Sequence, residues 1–285
     1  MTSVAITGYA SLDHVVRLEG PPLPDATVIA ARQAGAWPRL GGSPSYIAAA
    51  LVRAGIARAV PVTWVAEDEA GGHFVASLAF EGVSVDGVAR TLGGRTPVCI
   101  LAYVPDGACF CLYDPGASRS IGLAEFQGAI VDAADWVCVT VGPATATRAI
   151  LARLRSDQRL AWVVKADGDA FPPALRAALA ARADLIVCSR GERPFVADAL
   201  EAVPARAGRI LVETRGVEGA QVTVAGRTVL MAGETLAAPD PTGAGDTFVG
   251  GMLASLIARP DDAAAAVRAG QRAAREMLSA RIREG

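Results

Sequence analysis

Asp246 follows two glycines and an alanine in the stretch Asp240-Pro241-Thr242-Gly243-Ala244-Gly245-Asp246-Thr247-Phe248. Beyond it, Val249, Met252, Leu253, Leu256 and Ile257 recur at the spacing of one buried helix face, and the pattern stops before Pro260. Two glycines therefore stand at the mouth of a helix that carries a carboxylate in its first turn. The first turn of a helix leaves backbone N–H groups without partners, and the aligned peptide dipoles make that end positive. Small residues let an anion approach those groups closely. Gly243, Ala244 and Gly245 can thus form an anion hole for a transferring phosphoryl group, and Asp246 can take the proton of an attacking alcohol. Such a reaction needs positioning and charge stabilisation more than covalent chemistry. The same residues also fit a plain N-terminal helix cap after an ordinary turn.

Other chemically capable residues are few. The two histidines, His14 and His73, and the five cysteines, Cys99, Cys109, Cys111, Cys138 and Cys188, form no C-x-x-C pair. Most of the cysteines sit in apolar runs such as Trp136-Val137-Cys138-Val139, which reads as buried small hydrophobes in a reducing compartment. Cys109 and Cys111, two apart, share one face of a strand. The single lysine, Lys165, follows the apolar run Trp162-Val163-Val164. After a strand it points toward the C-terminal end of a parallel sheet, where ligands bind. An ordinary surface lysine is the other reading.

The elements that must hold these groups alternate. Apolar runs at 4–7, 60–65, 136–141, 160–164, 185–188 and 210–213 predict strands. Helical patterns at 44–54, closed by Gly55, at 145–154 and at 173–183 lie between them, the last with Leu175, Ala178 and Leu179 on one face. This order predicts an α/β fold with a mostly parallel sheet covered by helices on both sides. Two regions break the rhythm. Residues 9–40 carry Pro21, Pro22, Pro24 and Pro38, and residues 93–115 read as strands at 98–104 and 109–113 joined by a Pro105-Asp106-Gly107 turn. That hairpin is apolar on both faces, so a cover is expected. The chain, 1–285, is read as a single domain in which 9–40 and 93–115 form a small β lid.

The stretch from Asp240 to Phe248 closely resembles the C-terminal signature of the ribokinase-like (PfkB) carbohydrate kinases. A second stretch, Gly41-Gly42-Ser43-Pro44-Ser45-Tyr46-Ile47-Ala48-Ala49-Ala50-Leu51-Val52-Arg53-Ala54-Gly55, is similar to the N-terminal signature of the same family. Gly8-Tyr9-Ala10-Ser11-Leu12-Asp13 matches its opening strand and the aspartate that grips substrate hydroxyls. Thr214-Arg215-Gly216-Val217-Glu218-Gly219-Ala220 resembles its nucleotide-side loop, and Ser189-Arg190-Gly191-Glu192 aligns with an Asn-x-x-Glu motif that orders Mg²⁺ and phosphate-bound water. The resemblance spans nearly the whole chain. It implies a three-layer, Rossmann-like αβα core with a β-strand lid, ATP with Mg²⁺ as donor, and transfer of the γ-phosphate to a hydroxyl of a small sugar, sugar acid or nucleoside. In its terms Asp246 is the general base. Asp13, Gly41, Gly42 and Tyr46 hold the acceptor. Ser189, Thr214, Gly216, Gly219, Gly243 and Gly245 lie at the nucleotide, and Glu192 places Mg²⁺ indirectly. A monovalent cation such as K⁺ beside Asp240 and Thr242, and a homodimer formed through the lid, are further implications.

Two positions depart from the pattern. Tyr46 stands where many sugar-specific members have an asparagine, which counts against ribose as the acceptor, and Ser189 replaces the asparagine of Asn-x-x-Glu. These departures favour a rival reading, a non-catalytic sugar- or nucleoside-binding relative; the intact Gly243-Ala244-Gly245-Asp246 run favours the enzyme. A vitamin-precursor kinase on the same core, which lacks a full lid, is a third reading. The chain has no G-x-x-x-x-G-K-[ST], no G-x-G-x-x-G after its first strand, no H-E-x-x-H and no G-x-S-x-G, which argues against P-loop ATPases, dinucleotide dehydrogenases, zinc proteases and α/β-hydrolases. With 52% hydrophobic residues, a net charge of -2 and scattered basic residues, the chain suits a large buried core and not a nucleic acid partner. It shows neither a basic-then-apolar leader nor an apolar run long enough to span a bilayer, so no membrane association and a cytoplasmic location are expected.

Overall fold

The computed structural model describes residues 2–33, 35, 37–119, 121–204, 206–234, 236, 238 and 240–284. In chain order the strands are β1 (Ser3–Thr7), β2 (Ser11–Leu18), β3 (Ala30–Arg32), β4 (Arg39–Gly41), β5 (Arg58–Ala66), β6 (Val88–Thr91), β7 (Val98–Tyr103), β8 (Cys109–Asp114), β9 (Trp136–Val139), β10 (Arg159–Val163), β11 (Leu185–Ser189), β12 (Ile210–Thr214), β13 (Ala220–Val224) and β14 (Arg227–Met231). The helices are α1 (Ser43–Arg53), α2 (Glu69–Phe80), α3 (Glu125–Ala133), α4 (Ala144–Arg153), α5 (Pro173–Arg182), α6 (Arg193–Glu201), α7 (Ala244–Ala258) and α8 (Ala263–Glu284).

The large sheet runs β14-β13-β12-β11-β10-β9-β1-β5-β6. From β12 to β6 every pairing is parallel, and β13 and β14 add an antiparallel edge. The side-chain period of two explains why the central strands are apolar throughout. Ile6, Cys138, Ala161, Val163, Leu185 and Val187 pack in one core with α1, α2, α7 and α8. Ala5, Val137, Val139, Leu160, Trp162 and Ile186 point the other way, into a second core with α3 to α6. The result is the three-layer α/β/α fold expected from the alternation. The edge hairpin β13–β14 has no counterpart in the sequence pattern. Its turn carries Ala225 and Gly226, both at positive φ, and lacks the Asn-Gly or Pro-Gly spelling that announces such turns.

A second, smaller sheet is built from β3-β2-β7-β8, with β4 on β2. β2 and β7 pair in parallel from Leu12↔Val98 to Arg17↔Tyr103, which binds the two irregular regions of the sequence into one sheet. Three expectations are corrected. The buried face of α5 is Leu175, Leu179 and Ala180, while Ala178 is exposed, because the helix is rotated to seat Leu179 against the sheet. Cys109 and Cys111 are exposed rather than buried, because β8 is an outer strand with little packed over it; Cys99, Cys138 and Cys188 are buried. The cover expected over the 98–113 hairpin is not supplied by the described residues, and Ile100, Phe110 and Leu112 remain exposed. No described helix is long and apolar enough to cross a membrane.

Candidate active site

The residues singled out above gather where the parallel strands end. β1 leads through Gly8 into β2 and Asp13, β10 into Lys165, β11 into Ser189 and Glu192, and β12 into Thr214. In open α/β sheets ligands bind in the crevice at these C-terminal ends, at the point where strand order reverses. Here the reversal falls between β1 and β9. The start of α7 lies at the same end.

The approach to α7 is a tight turn. Gly243 has φ 78° and ψ -2°, the left-handed third position of a type II turn, and the Ala244 N–H closes that turn on the Pro241 carbonyl at 3.0 Å. Ala244 is therefore withdrawn from the anion hole predicted for it. The amides of Gly243, Gly245 and Asp246 have no acceptor among the described residues, and a Cβ on Gly245 would meet nothing within 4 Å, so the helix mouth is open there. No side chain caps the helix, so the plain-cap reading has no support. A Cβ on Gly243 would lie 2.6 Å from the Tyr46 ring, so only glycine fits.

Asp246 is partly buried. Burial pushes its carboxyl above the ordinary range, with Lys165 and the Ser43 hydroxyl opposing that rise and Glu192 adding to it. Lys165 in turn is held above its usual value first by Asp246. Its ammonium lies 3.6 Å from Glu192 Oε1. Glu192 and Ser189 are tied reciprocally. The Ser189 N–H donates to Glu192 Oε2 at 2.7 Å, and the Glu192 N–H donates to Ser189 Oγ at 3.3 Å. Serine here performs the local turn-closing that its hydroxyl allows.

On the acceptor side Asp13 is buried and accepts from Ser11 Oγ at 2.5 Å. Burial raises its pKa against the pull of Ser11 and Arg39. Gly41 is explained by this carboxylate, since a Cβ there would stand 2.1 Å from Asp13 Oδ1. Gly42, at φ 84°, is the residue from which α1 starts. Tyr46, one turn into α1, does not project a free hydroxyl at Asp13. Its ring lies under Gly243, its buried hydroxyl has no partner among the described residues, and burial pushes its pKa up to about 12.

On the opposite side Thr214, Gly216 and Gly219 share a cavity of about 960 Å³ with Met231, Phe248 and Gln271, and Ala244 and Gly245 form its inner wall. Thr214, Gly216 and Gly219 thus border one space with the Ala244–Gly245 start of α7, whereas Ser189 and Gly243 do not line it. A separate hollow of about 810 Å³ lies between α1, α7 and α8, with Arg39, Tyr46, Asp240 and Arg281 on its wall. Asp13 and Asp246 line neither.

Three residues that no motif identified converge on the loop before α7. Arg39 Nη1 lies 2.5 Å from Asp240 Oδ2, and Tyr103 OH is 2.6 Å from Thr242 Oγ1, so β4 and β7 of the small sheet both reach this loop. Arg281 Nη1 donates to the Thr242 carbonyl and, at 3.3 Å, to the Asp240 carbonyl. Burial pushes Asp240 up, but the Arg39 hydrogen bond and charge, the Thr242 side chain and Arg281 outweigh it and hold the carboxyl below its ordinary range. The oxygens beside which a monovalent cation is expected carry donors in this structure: Arg39 on Asp240 Oδ2, the Thr242 N–H on Asp240 Oδ1, and Arg281 on the two carbonyls. Nothing local in the sequence signals Arg281; an arginine in the last turn of a helix reads as a solvated partner of the helix dipole.

The family model of the pfkB family carbohydrate kinases matches residues 1–281. A curated relative, an ATP-dependent ribose-1-phosphate kinase of Halopiger xanaduensis, is 28% identical over 302 residues, spanning 98% of this chain and 96% of that protein. The nucleoside kinase of Methanocaldococcus jannaschii superposes with a TM-score of 0.78 at 15% identity, over 98% of this chain and 92% of that one. A Burkholderia thailandensis nucleoside kinase in complex with inosine superposes with a TM-score of 0.76 at 19% identity, over 95% and 89%. The fold, the two signatures and the match along the chain agree: it belongs to the pfkB family of carbohydrate kinases and is a phosphotransferase with a hydroxyl acceptor.

Proposed function

We propose that this kinase transfers the γ-phosphate of ATP to a hydroxyl of a small ribose-containing acceptor, with Asp246 as general base. The observation that carries this reading is the α7 mouth. There the amides of Gly243, Gly245 and Asp246 have no acceptor among the described residues, Gly245 lines the cavity of Thr214, Gly216 and Gly219, and the Asp246 carboxylate stands in the same first turn of the helix. The amides oppose charge on the transferring group, and the partly buried carboxylate takes the acceptor's proton. Lys165, whose charge opposes the burial-driven rise at Asp246 and whose ammonium lies 3.6 Å from Glu192 Oε1, offers a cation to the phosphates. Asp13, set on Gly41, holds acceptor hydroxyls. Among the described residues no group of three or more metal-ligating side chains exists. Mg²⁺, which neutralises phosphate charge when bound, would accordingly be held mainly by phosphate oxygens and water, with Glu192 as the nearby carboxylate.

The choice of a ribose unit draws on the ribose-1-phosphate kinase relative and on the inosine-bound neighbour. An anionic acceptor is favoured by Arg39, which pairs with Asp13 across β2 and β4 and has two buried nitrogens, Nε and Nη2, without partners. The binding-only reading is weakened by Asp246, since a binder has no use for a carboxylate at an anion site. The lidless vitamin-precursor reading is weakened by the five-stranded small sheet, here taken as the lid. The exposed Ile100, Phe110 and Leu112 on that lid support a homodimer formed through it. The test is a coupled ADP-release assay over ribose-1-phosphate, ribose and nucleosides. Asp246→Asn is expected to keep affinity for a non-hydrolysable ATP analogue and to lose at least about 10²-fold in kcat. Near-full turnover in that variant on the best acceptor would remove Asp246 from the role of base.

A further inference from the structure

The loop from Asp240 to Thr242 presents two backbone carbonyls and a carboxylate on one side. Oxygen sets of this kind hold alkali cations. In this chain they hold guanidinium groups. Arg281 Nη1 donates to both carbonyls and sits 3.6 Å from Asp240 Oδ2, and Arg39 Nη1 takes the same Oδ2 at 2.5 Å. The side chains of Arg281 and Asp240 are only 17% and 9% exposed, so the pair is shielded from water and salt.

Arg281 is also carried on a rigid element. α8 lies hard against α7, where Cβ atoms on Gly251 and Gly270 would meet Ala273 and Phe248 at 2.7 Å and 2.6 Å. The guanidinium lies 5.8 Å from the Tyr46 ring centre, and that ring supports Gly243. The same cation therefore fixes the loop from behind and the turn from below. With Asp240 already facing two guanidinium groups, a further cation would meet repulsion, and among the described residues each of these loop oxygens already accepts a hydrogen bond.

We propose that Arg281, backed by Arg39, is a built-in cation that positions the loop feeding the anion hole, so that this kinase works without a monovalent metal ion. Arg281 is a positioning residue; it acts through the Thr242 carbonyl and Gly243. The kinetic part of the proposal rests on the kinase reading above, whereas its structural part does not.

The test compares KCl with choline chloride at a matched ionic strength of about 0.1 M, using wild type, Arg281→Met and Arg281→Lys. Two quantities are read: turnover, and melting temperature in the absence of acceptor. Wild type is expected to show equal rates and equal melting in both salts. Arg281→Met should become K⁺-responsive by at least about fivefold in rate, the low end of a coupling between sites, with a K⁺-specific rise in melting temperature. Arg281→Lys should restore the indifference to K⁺, because an ammonium can also bond the two carbonyls. A K⁺-specific gain in wild-type rate or melting would overturn the proposal, as would an Arg281→Met variant of full rate and unchanged melting in choline. If Arg281→Met does not fold, the wild-type comparison decides. If no acceptor is phosphorylated, the acceptor reading has failed, while the melting comparison still decides this proposal.

Discussion

Gly243→Ala should damage both the stability and the chemistry of this protein, by an amount that the turn geometry sets. Two costs combine. Gly243 has φ 78°, and an L-residue forced into that region costs about 1–2 kcal/mol. The new methyl would stand 2.6–2.7 Å from three atoms of the Tyr46 ring. That ring can give way only past the Arg281 guanidinium or into the hollow it borders, and overpacking of this kind costs about 1–3 kcal/mol. The sum is roughly 2–5 kcal/mol. For 285 residues, unfolding entropy near ~2.1 cal/mol/K per residue amounts to ~0.6 kcal/mol/K, so the melting temperature should fall by roughly 3–8 °C. The steric share is separable in a double-mutant cycle with Tyr46→Leu, which replaces the flat ring with a smaller, more adaptable side chain. The double variant should be more stable than the sum of the singles by about 1–3 kcal/mol, and turnover should recover in parallel as the Gly243 amide returns to place. Thermal denaturation and steady-state kinetics on the four proteins measure this. Additivity within about 0.5 kcal/mol would refute the contact argument, and a Gly243→Ala melting temperature equal to wild type would refute both parts.

Three other outcomes are expected. Burial raises the Asp246 pKa, so the folded chain favours the protonated form; that contribution is complete below the unfolded aspartate value and is lost as pH rises through the folded one. Asp246→Asn should therefore melt higher than wild type at about pH 8, with the gap closing toward about pH 4; a gap that does not change with pH sinks the argument. Tyr46→Phe removes a buried hydroxyl without a partner and should stabilise the protein by about 1 kcal/mol, whereas a lower melting temperature would mean that the hydroxyl is bonded. Tyr103→Phe cuts the 2.6 Å contact to Thr242 that ties the small sheet to the α7 loop. At about 0.5–1.5 kcal/mol this should raise the acceptor KM roughly two- to tenfold at nearly constant kcat, and an unchanged KM would deny the tie any role in binding.

How much of this is legible in the sequence depends on how local each cause is. The α7 mouth is legible because two glycines, a carboxylate and the apolar face that buries the helix are neighbours in the chain. Strands such as Val4 to Thr7 are legible because burial on both faces makes the run continuously apolar. Placing the Ala244 amide in the anion hole overlooks a cause that is equally local. Pro241-Thr242-Gly243-Ala244 spells a type II turn, whose fourth N–H bonds the first carbonyl, and turn chemistry given equal weight with helix chemistry excludes that amide. The exposure of Cys109 and Cys111 is not legible, because an apolar strand does not reveal whether anything lies over its outer face. Arg39, Tyr103 and Arg281 come from β4, β7 and α8 and meet only through the fold.

That meeting changes what the departure at position 46 implies. Read from the sequence, tyrosine in place of an amide argues against ribose, because it removes hydrogen-bonding capacity from the acceptor side. In the fold its ring faces the underside of Gly243, and its flank faces the Arg281 guanidinium at 5.8 Å, within reach of a cation–π contact. An asparagine there would be too short to fill the space under the turn and would offer no π face to the cation. Tyr46 and Arg281 thus work as a pair, with the tyrosine supporting the turn and the arginine holding the loop carbonyls. The substitution answers a demand of the loop. Ribose-containing acceptors stay compatible with Asp13, Gly41 and Gly42, and Arg39, with two unpartnered nitrogens across the strand pair from Asp13, is the residue by which such a site would distinguish a phosphorylated sugar from a neutral one.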